Sequence, residues 1–263
     1  TAFPNRGGRL LHLLRAGVIS MCRMIGFAAY EPVDASPFLA ALSALSRSGN
    51  LVEGWERRPG GNHPDGWGIA YREAGEMKLL RGGMPANADP MFSEARVTTD
   101  RFIGHVRYAS NTATVNAGNA HPFLLSGTAL AHNGTFRGRI GEEASRRNVS
   151  DTLVFLEILS SRWGEPTFPR LRDALAEILG DAALVGEYSA ANLLIASGES
   201  LFALRNFRRN EGYYTLYLKA TPGRPVAASE MLDDGPGWRL LDNGELVELH
   251  PGAVRSESIF AAA

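Results

Sequence analysis

Apolar and polar positions recur along this chain with two different periods, and the change of period marks out its elements. Residues 23–30 form a short apolar run, Arg-Met-Ile-Gly-Phe-Ala-Ala-Tyr, which predicts a buried strand. Phe38, Leu39, Leu42 and Leu45 then recur at helical spacing, with Gly49 placed to stop the helix. Gly66 to Tyr71 and Met77 to Leu80 flank Glu73-Ala74-Gly75-Glu76 and predict a hairpin. A loop rich in Gly, Pro and Asn runs through Pro90. A strand is predicted from Phe102 to Tyr108, then a polar loop leads to Ala120-His121-Pro122-Phe123. Another strand, Thr128 to His132, ends on Asn133-Gly134.

Ser150 stands where an N-cap belongs, ahead of Leu153, Val154, Leu156, Ile158 and Leu159, a strongly apolar helix. A second helix is expected from about Pro169 to Leu179, stopped by Gly180. The remainder reads as strands over Asn192–Ala196, Leu201–Asn206, Tyr213–Leu218, Pro225–Ser229, Trp238–Leu241 and Glu245–Leu249. Asp242-Asn243-Gly244-Glu245 carries a two-residue hairpin signal between the last two. Strands dominate and the few helices fall in two groups, which predicts a layered α+β body with helices outside packed sheets.

At 263 residues, with 44% hydrophobic and 21% charged, the chain is large enough to bury a real core. A net charge of −1 gives no electrostatic reason to expect nucleic acid or an anionic membrane as a partner. No apolar run approaches the length of a membrane span. The single cysteine, Cys22, excludes an intramolecular disulfide framework and a thiolate metal cluster, and suits a reducing cytoplasm.

Residues 1–20 differ from the rest, carrying Arg6, Arg9 and Arg15 with no acidic residue. Leu10-Leu11-His12-Leu13-Leu14 has the outline of a signal-peptide core. It is short, interrupted by charge, and lacks a small-x-small cleavage pair beside Cys22. Residues 1–21 therefore read as a removable leader or as an upstream extension of a true start at Met21, with the functional domain over 22–263.

Met21-Cys22 matters because cysteine is small enough for an initiator methionine to be trimmed in front of it. A chain beginning at Cys22 carries a thiol next to its own α-amine, which titrates near ~8 and serves as a built-in base. By itself, the lone cysteine reads first as a small buried hydrophobe, and the motifs further along reverse that reading. In Gly104-His105-Val106-Arg107-Tyr108-Ala109-Ser110, strand alternation puts His105 and Arg107 on one face and Val106 and Tyr108 on the other. An arginine in an apolar strand needs a partner, either a structural carboxylate or the carboxylate of a ligand. Asn133-Gly134 supplies a side-chain amide and an adjacent backbone N–H, two donors able to converge on one oxyanion, and is also a common turn pair. Ser150-Asp151-Thr152 is a helix cap in which Asp151 is also placed to bind an ammonium group.

In order, Met-Cys, Asp65-Gly66-Trp67-Gly68, His105-Val106-Arg107-Tyr108-Ala109, Asn119-Ala120-His121-Pro122-Phe123, Ala131-His132-Asn133-Gly134 and Ser150-Asp151-Thr152 resemble the class II glutamine amidotransferases of the N-terminal nucleophile hydrolase superfamily. The motifs cover Cys22 to Thr152, and the chain resembles the stand-alone glutaminase type.

The resemblance implies a four-layer αββα sandwich of two antiparallel sheets. It implies that Cys22 attacks the γ-carboxamide of glutamine while its α-amine moves the proton. Asn133 and the Gly134 N–H would hold the oxyanion. Arg107 would clamp the substrate α-carboxylate, and Tyr108 belongs to the same substrate-binding stretch. Ser110 would orient the carboxylate, and Asp151 would bind the α-ammonium. Arg23 would favour the thiolate, and His105, His121 and His132 would be structural. No cofactor or metal is implied. The expected products are glutamate and ammonia for a separate acceptor synthase. A γ-glutamyl peptide or thiol is the alternative substrate, and a catalytically silent glutamine-sensing subunit is the alternative of another class. Asn111 departs from the pattern, holding a position often taken by histidine in synthase-linked relatives.

Overall fold

A computed structural model describes residues 22–49 and 62–260. The leader expected over residues 1–21 lies outside the described residues. The apolar run after Cys22 becomes β1 (Arg23–Asp34), which extends further than the run itself. It sits at the middle of a seven-stranded antiparallel sheet. On one side it pairs with β4 (Thr98–Val106), followed outward by β2 (Trp67–Glu73) and β3 (Glu76–Gly82). On the other side lie β10 (Val226–Ala228), β9 (Tyr217–Lys219) and β11 (Trp238–Leu240). The hairpin expected at residues 73–76 joins β2 to β3. The second sheet has six strands in the order β13 (Ala253–Ser258), β12 (Glu245–His250), β8 (Ser200–Arg205), β7 (Ala191–Ser197), β6 (Thr128–Gly134) and β5 (Phe123–Leu125).

Strand alternation divides the apolar residues into three layers of packing. Ile25, Phe27, Trp67, Ile69 and Phe102 face outward onto Phe38, Leu39, Leu42 and Leu45 of α1 (Ser36–Arg47). Each large side chain buried there contributes roughly 1.5–3 kcal/mol. On the far side, Leu130, Leu193, Ile195, Phe202 and Leu204 meet four further helices. These are α3 (Gly138–Arg147), α4 (Asp151–Trp163), α5 (Phe168–Gly180) and α6 (Ala182–Val185). The short α2 (Pro90–Glu94) packs Phe92 edge-on against Trp67. Between the sheets lie Met24, Ala28, Ala70, Ile103, Ala129, Ala131, Leu194, Ala203 and Ala227. Many of these are alanines, which lets the two sheets approach closely. At Gly26, a Cβ would meet Leu194 at 3.2 Å and Leu201 at 3.3 Å. The result is the expected αββα sandwich.

Two strand expectations are corrected. Asp242-Asn243-Gly244-Glu245 does form a turn, closed by the Glu245 N–H donating to the Asp242 carbonyl at 3.2 Å. The strands on either side belong to different sheets, because β11 pairs with β9 whereas β12 pairs with β8 and β13. Leu241 is buried in the layer between the sheets, and its carbonyl accepts from the buried Arg205 guanidinium at 2.7 Å, so the chain crosses between layers there. The strand expected from Tyr213 is reduced to Tyr217–Lys219, since Tyr213 and Tyr214 instead pack against Ala190 in a small aromatic cluster.

Candidate functional site

Cys22 immediately precedes β1, and its side chain is only 7% exposed. Its backbone nitrogen donates to Asn133 Oδ1 at 3.0 Å, joining the start of β1 to the end of β6 across the two sheets. With its oxygen so engaged, the Asn133 carboxamide keeps its NH₂ as a donor, and that group makes no hydrogen bond to another described residue. Sγ lies 3.7 Å from the Tyr108 carbonyl oxygen. Thus the backbone of Tyr108, the residue that follows Arg107, reaches the thiol.

Next to Asn133, Gly134 has φ +152°, and a Cβ there would collide with the Ala190 carbonyl. Only glycine leaves this backbone free to pass so close to Ala190. Arg107 lies just past β4, is 5% exposed, and donates to the Thr114 carbonyl at 2.7 Å and to Thr114 Oγ1 at 2.8 Å. A guanidinium has five N–H donors, so three remain for a ligand. The stretch from Arg107 to Ala109 is held by Asp65. The Asp65 N–H donates to the Arg107 carbonyl at 3.0 Å, and its carboxylate accepts from the Ala109 N–H at 2.8 Å.

Asp151 opens α4 behind its cap Ser150. One carboxylate oxygen accepts from the Phe136 N–H at 2.6 Å and the other from the Thr152 N–H at 2.9 Å. A cleft of ≈ 680 Å³ has Arg107, Ser110, Thr114, Phe136, Ser150 and Asp151 among its lining residues. Cys22, Tyr108, Asn133 and Gly134 do not line it. The expected residues therefore fall into two groups, a buried one around the thiol and an open one around the cleft. Arg107 belongs to both, because its charge also acts on the thiol.

Burial dominates the electrostatics. It pushes the Cys22 thiol up to about 11, and the nearby Arg107 and Arg23 charges offset only part of that rise. The Arg23 charge does favour the thiolate, as expected, but burial outweighs it. The Arg23 guanidinium pairs with Glu230 and donates to the Cys22 carbonyl at 3.3 Å. Burial likewise holds His105 and His121 well below the ordinary imidazole value, and lowers His132. Among the described residues no group of three His, Cys, Asp or Glu side chains is arranged to hold a metal ion.

Asp65, Thr114 and Glu230 were not singled out as site residues from sequence. Asp65 lies inside a quoted motif, where its neighbouring glycines suggested only a turn. Glu230 is 207 residues from Arg23 and carries no local signal.

A family model described as glutamine amidotransferases class-II matches residues 21–261, and the chain belongs to that family. Among curated relatives, an uncharacterised protein of Methanocaldococcus jannaschii is 29% identical over 181 residues, covering 62% of this chain and 48% of its own length. The gamma-glutamyl-hercynylcysteine sulfoxide hydrolase of Mycolicibacterium smegmatis is 25% identical over 241 residues, covering 89% of this chain and 98% of its own. Among solved structures, glutamine phosphoribosylpyrophosphate amidotransferase from B. subtilis superposes with a TM-score of 0.59 at 20% identity, over 92% of this chain and 50% of that one. A glutamine aminotransferase class-II domain protein from Silicibacter pomeroyi also gives 0.59, at 19% identity over 91% and 100%. These likenesses show the fold. The chain spans about half the length of the archaeal and B. subtilis proteins and nearly all of the other two. Among the described residues no helix is long and apolar enough to cross a membrane.

Proposed function

We propose that this chain hydrolyses a γ-glutamyl amide bond through a thioester on Cys22, with glutamine as the simplest substrate. The observation that carries the reading is the bond from the Cys22 nitrogen to Asn133 Oδ1 at 3.0 Å. It brings the proposed nucleophile and the proposed oxyanion donor together, with the sterically obligatory Gly134 next in sequence. In the reactive chain Cys22 is the first residue, so this nitrogen is an amine with a lone pair. Sγ attacks the amide carbon while the amine takes the thiol proton. Asn133 Nδ2–H and the Gly134 N–H hold the resulting oxyanion. Collapse breaks the C–N bond, and the ammonium returns the proton to the departing ammonia. Water then attacks the thioester, giving glutamate and restoring the thiol. Arg107 binds the α-carboxylate with its remaining donors, Ser110 helps orient that carboxylate, and Asp151 binds the α-ammonium.

A larger γ-glutamyl substrate, a peptide or thiol, is favoured by one observation. The mycobacterial relative matched over nearly its whole length is named a gamma-glutamyl-hercynylcysteine sulfoxide hydrolase. Retention of Cys22, Arg107, Asn133 and Asp151 together speaks against a silent glutamine-sensing subunit, and the lone cysteine suits a reaction in the cytoplasm. Ammonia released from glutamine would pass to a separate synthase. Glutamate release from glutamine and from γ-glutamyl dipeptides by a chain beginning at Cys22 tests the reading. Loss of that release in Cys22→Ala supports it, and unchanged turnover overturns it.

A further inference from the structure

Asp151 is flanked by two buried hydroxyls, and each is gripped by a histidine. His121 Nδ1 lies 3.0 Å from the His132 carbonyl oxygen and His121 Nε2 lies 3.0 Å from Ser150 Oγ. A carbonyl only accepts, so Nδ1 carries the proton and Nε2 of the neutral ring is the acceptor. The Ser150 hydroxyl, which has Asp151 Oδ1 at 3.3 Å and His121 Nε2 at 3.0 Å, gives its single proton to His121, the shorter contact. His132 repeats the pattern with its nitrogens exchanged. Its Nε2 donates to the Ala190 carbonyl at 3.0 Å, which leaves Nδ1 to accept from Thr152 Oγ1 at 3.0 Å.

We propose that His121 and His132 are positioning residues for substrate binding, clamping the hydroxyls on either side of Asp151 so that its carboxylate faces the ligand's ammonium. The proposal rests on the assignment of Asp151 to that ammonium. Ser150, Thr152, His121 and His132 are all buried, and Ser150 lies at the cleft wall beside Asp151. The histidines are linked, since His121 donates to the backbone of His132 itself. The same strand, β6, carries His132, Asn133 and Gly134, so the ammonium end of the site is referenced to the oxyanion end through one rigid element. His132 also stacks on Phe136 at 4.5 Å, and the Phe136 N–H holds the second Asp151 oxygen. Asp151 Oδ2 thus has a single protein donor, the Phe136 N–H, and a lone pair left over for a ligand, while Oδ1 takes the Thr152 N–H and has the Ser150 hydroxyl 3.3 Å away.

The test is the affinity for L-glutamine, measured by calorimetry in a Cys22→Ala background so that no turnover occurs. Thr152→Val removes the hydroxyl that His132 accepts from while keeping the shape of the side chain, and Thr152→Ser restores it. His121→Asn keeps a donor toward the His132 carbonyl and drops the acceptor for Ser150. We expect Thr152→Val and His121→Asn each to weaken binding about tenfold, the scale of one buried hydrogen bond. Thr152→Ser should stay within about twofold of the parent. Asp151→Asn, measured alongside, should weaken binding at least as much as either. If Asp151→Asn binds as the parent does, the ammonium assignment fails and the proposal fails with it. If Asp151→Asn binds weakly while Thr152→Val and His121→Asn bind normally, the assignment stands and the clamp is overturned. Equal losses in Thr152→Val and Thr152→Ser would assign the effect to packing and also overturn it. A parent protein that binds neither glutamine nor a γ-glutamyl dipeptide overturns the proposal together with the proposed function.

Discussion

Placing Met21 in front of Cys22 changes one nitrogen from an amine to an amide, and the structure sets the size of the consequence. The amide donates to Asn133 Oδ1 and has no basic lone pair, so the thiol must ionise unaided. At about pH 7.5 a thiol held at about 11 is ionised to roughly 3 parts in 10,000, against about one part in ten for an ordinary cysteine near ~8.5, a deficit of about 300-fold. A positioned general base contributes on the order of 100- to 10,000-fold, which spans the same deficit. Protein retaining residues 1–21 should therefore turn over at least about 100-fold more slowly than protein beginning at Cys22. Turnover of the two forms, each checked by intact mass, measures this. Iodoacetamide alkylation adds a second readout. In the extended form its rate should keep rising up to about pH 11, and in the Cys22-first form it should bend near the α-amine value of about 8. Full turnover by the extended form, or an alkylation midpoint near 8.5 in that form, would refute the reasoning and call for another proton acceptor, His105 or His132.

Asn133→Ala should lower kcat by on the order of 100- to 1000-fold with little change in KM, as for a donor that acts mainly in the transition state. Arg107→Ala should chiefly raise KM, because the carboxylate is held in both states, and steady-state kinetics showing the reverse split would exchange the two roles. Gly134→Ala should be inactive and melt at a lower temperature, since the Ala190 carbonyl occupies the space its methyl needs, and a variant with normal activity would contradict that geometry. Stability should fall with acid before the carboxylates titrate. His63, His105, His121 and His132 are buried, and burial depresses each, His63 to about 3. Unfolded histidines bind protons near ~6.5, so below that pH the unfolded chain holds more protons and stability drops by up to about 1.4 kcal/mol per pH unit for each group. Urea titrations at pH 7 and pH 5.5 should differ by at least about 2 kcal/mol, and equal values would contradict the buried neutral state.

Period and spacing reveal most of the frame. The apolar run after Cys22, the hairpin at residues 73–76 and the helix capped by Ser150 all form from signals confined to a few neighbouring residues. The strand expected through Tyr108 stops at Val106, which packs toward α1, and Arg107, just past the end of β4, lines the cleft. The elements missed have weak local signals. α3 buries only Ile140 and Ala144, one short stripe in a charged sequence. β13 is a polar edge strand, Ala-Val-Arg-Ser-Glu-Ser. The turn at Asp242–Glu245 shows the limit more sharply, since a local turn signal cannot say which sheet each flanking strand will join. In the candidate site, the residues proposed to meet ligand fall within short motifs and are legible in the sequence. Their supports are not, because Arg23 with Glu230, His121 with Ser150 and His132 with Thr152 are pairings made by the tertiary fold.

The covalent step is the centre of the account, and acid quenching of a chain beginning at Cys22 during turnover of glutamine or a γ-glutamyl dipeptide tests it most directly. Intact-mass and peptide mapping should find one γ-glutamyl group added, located on Cys22, absent from Cys22→Ala and discharged by hydroxylamine. Glutamate release with no acyl group at Cys22, continuing in Cys22→Ala, would contradict it.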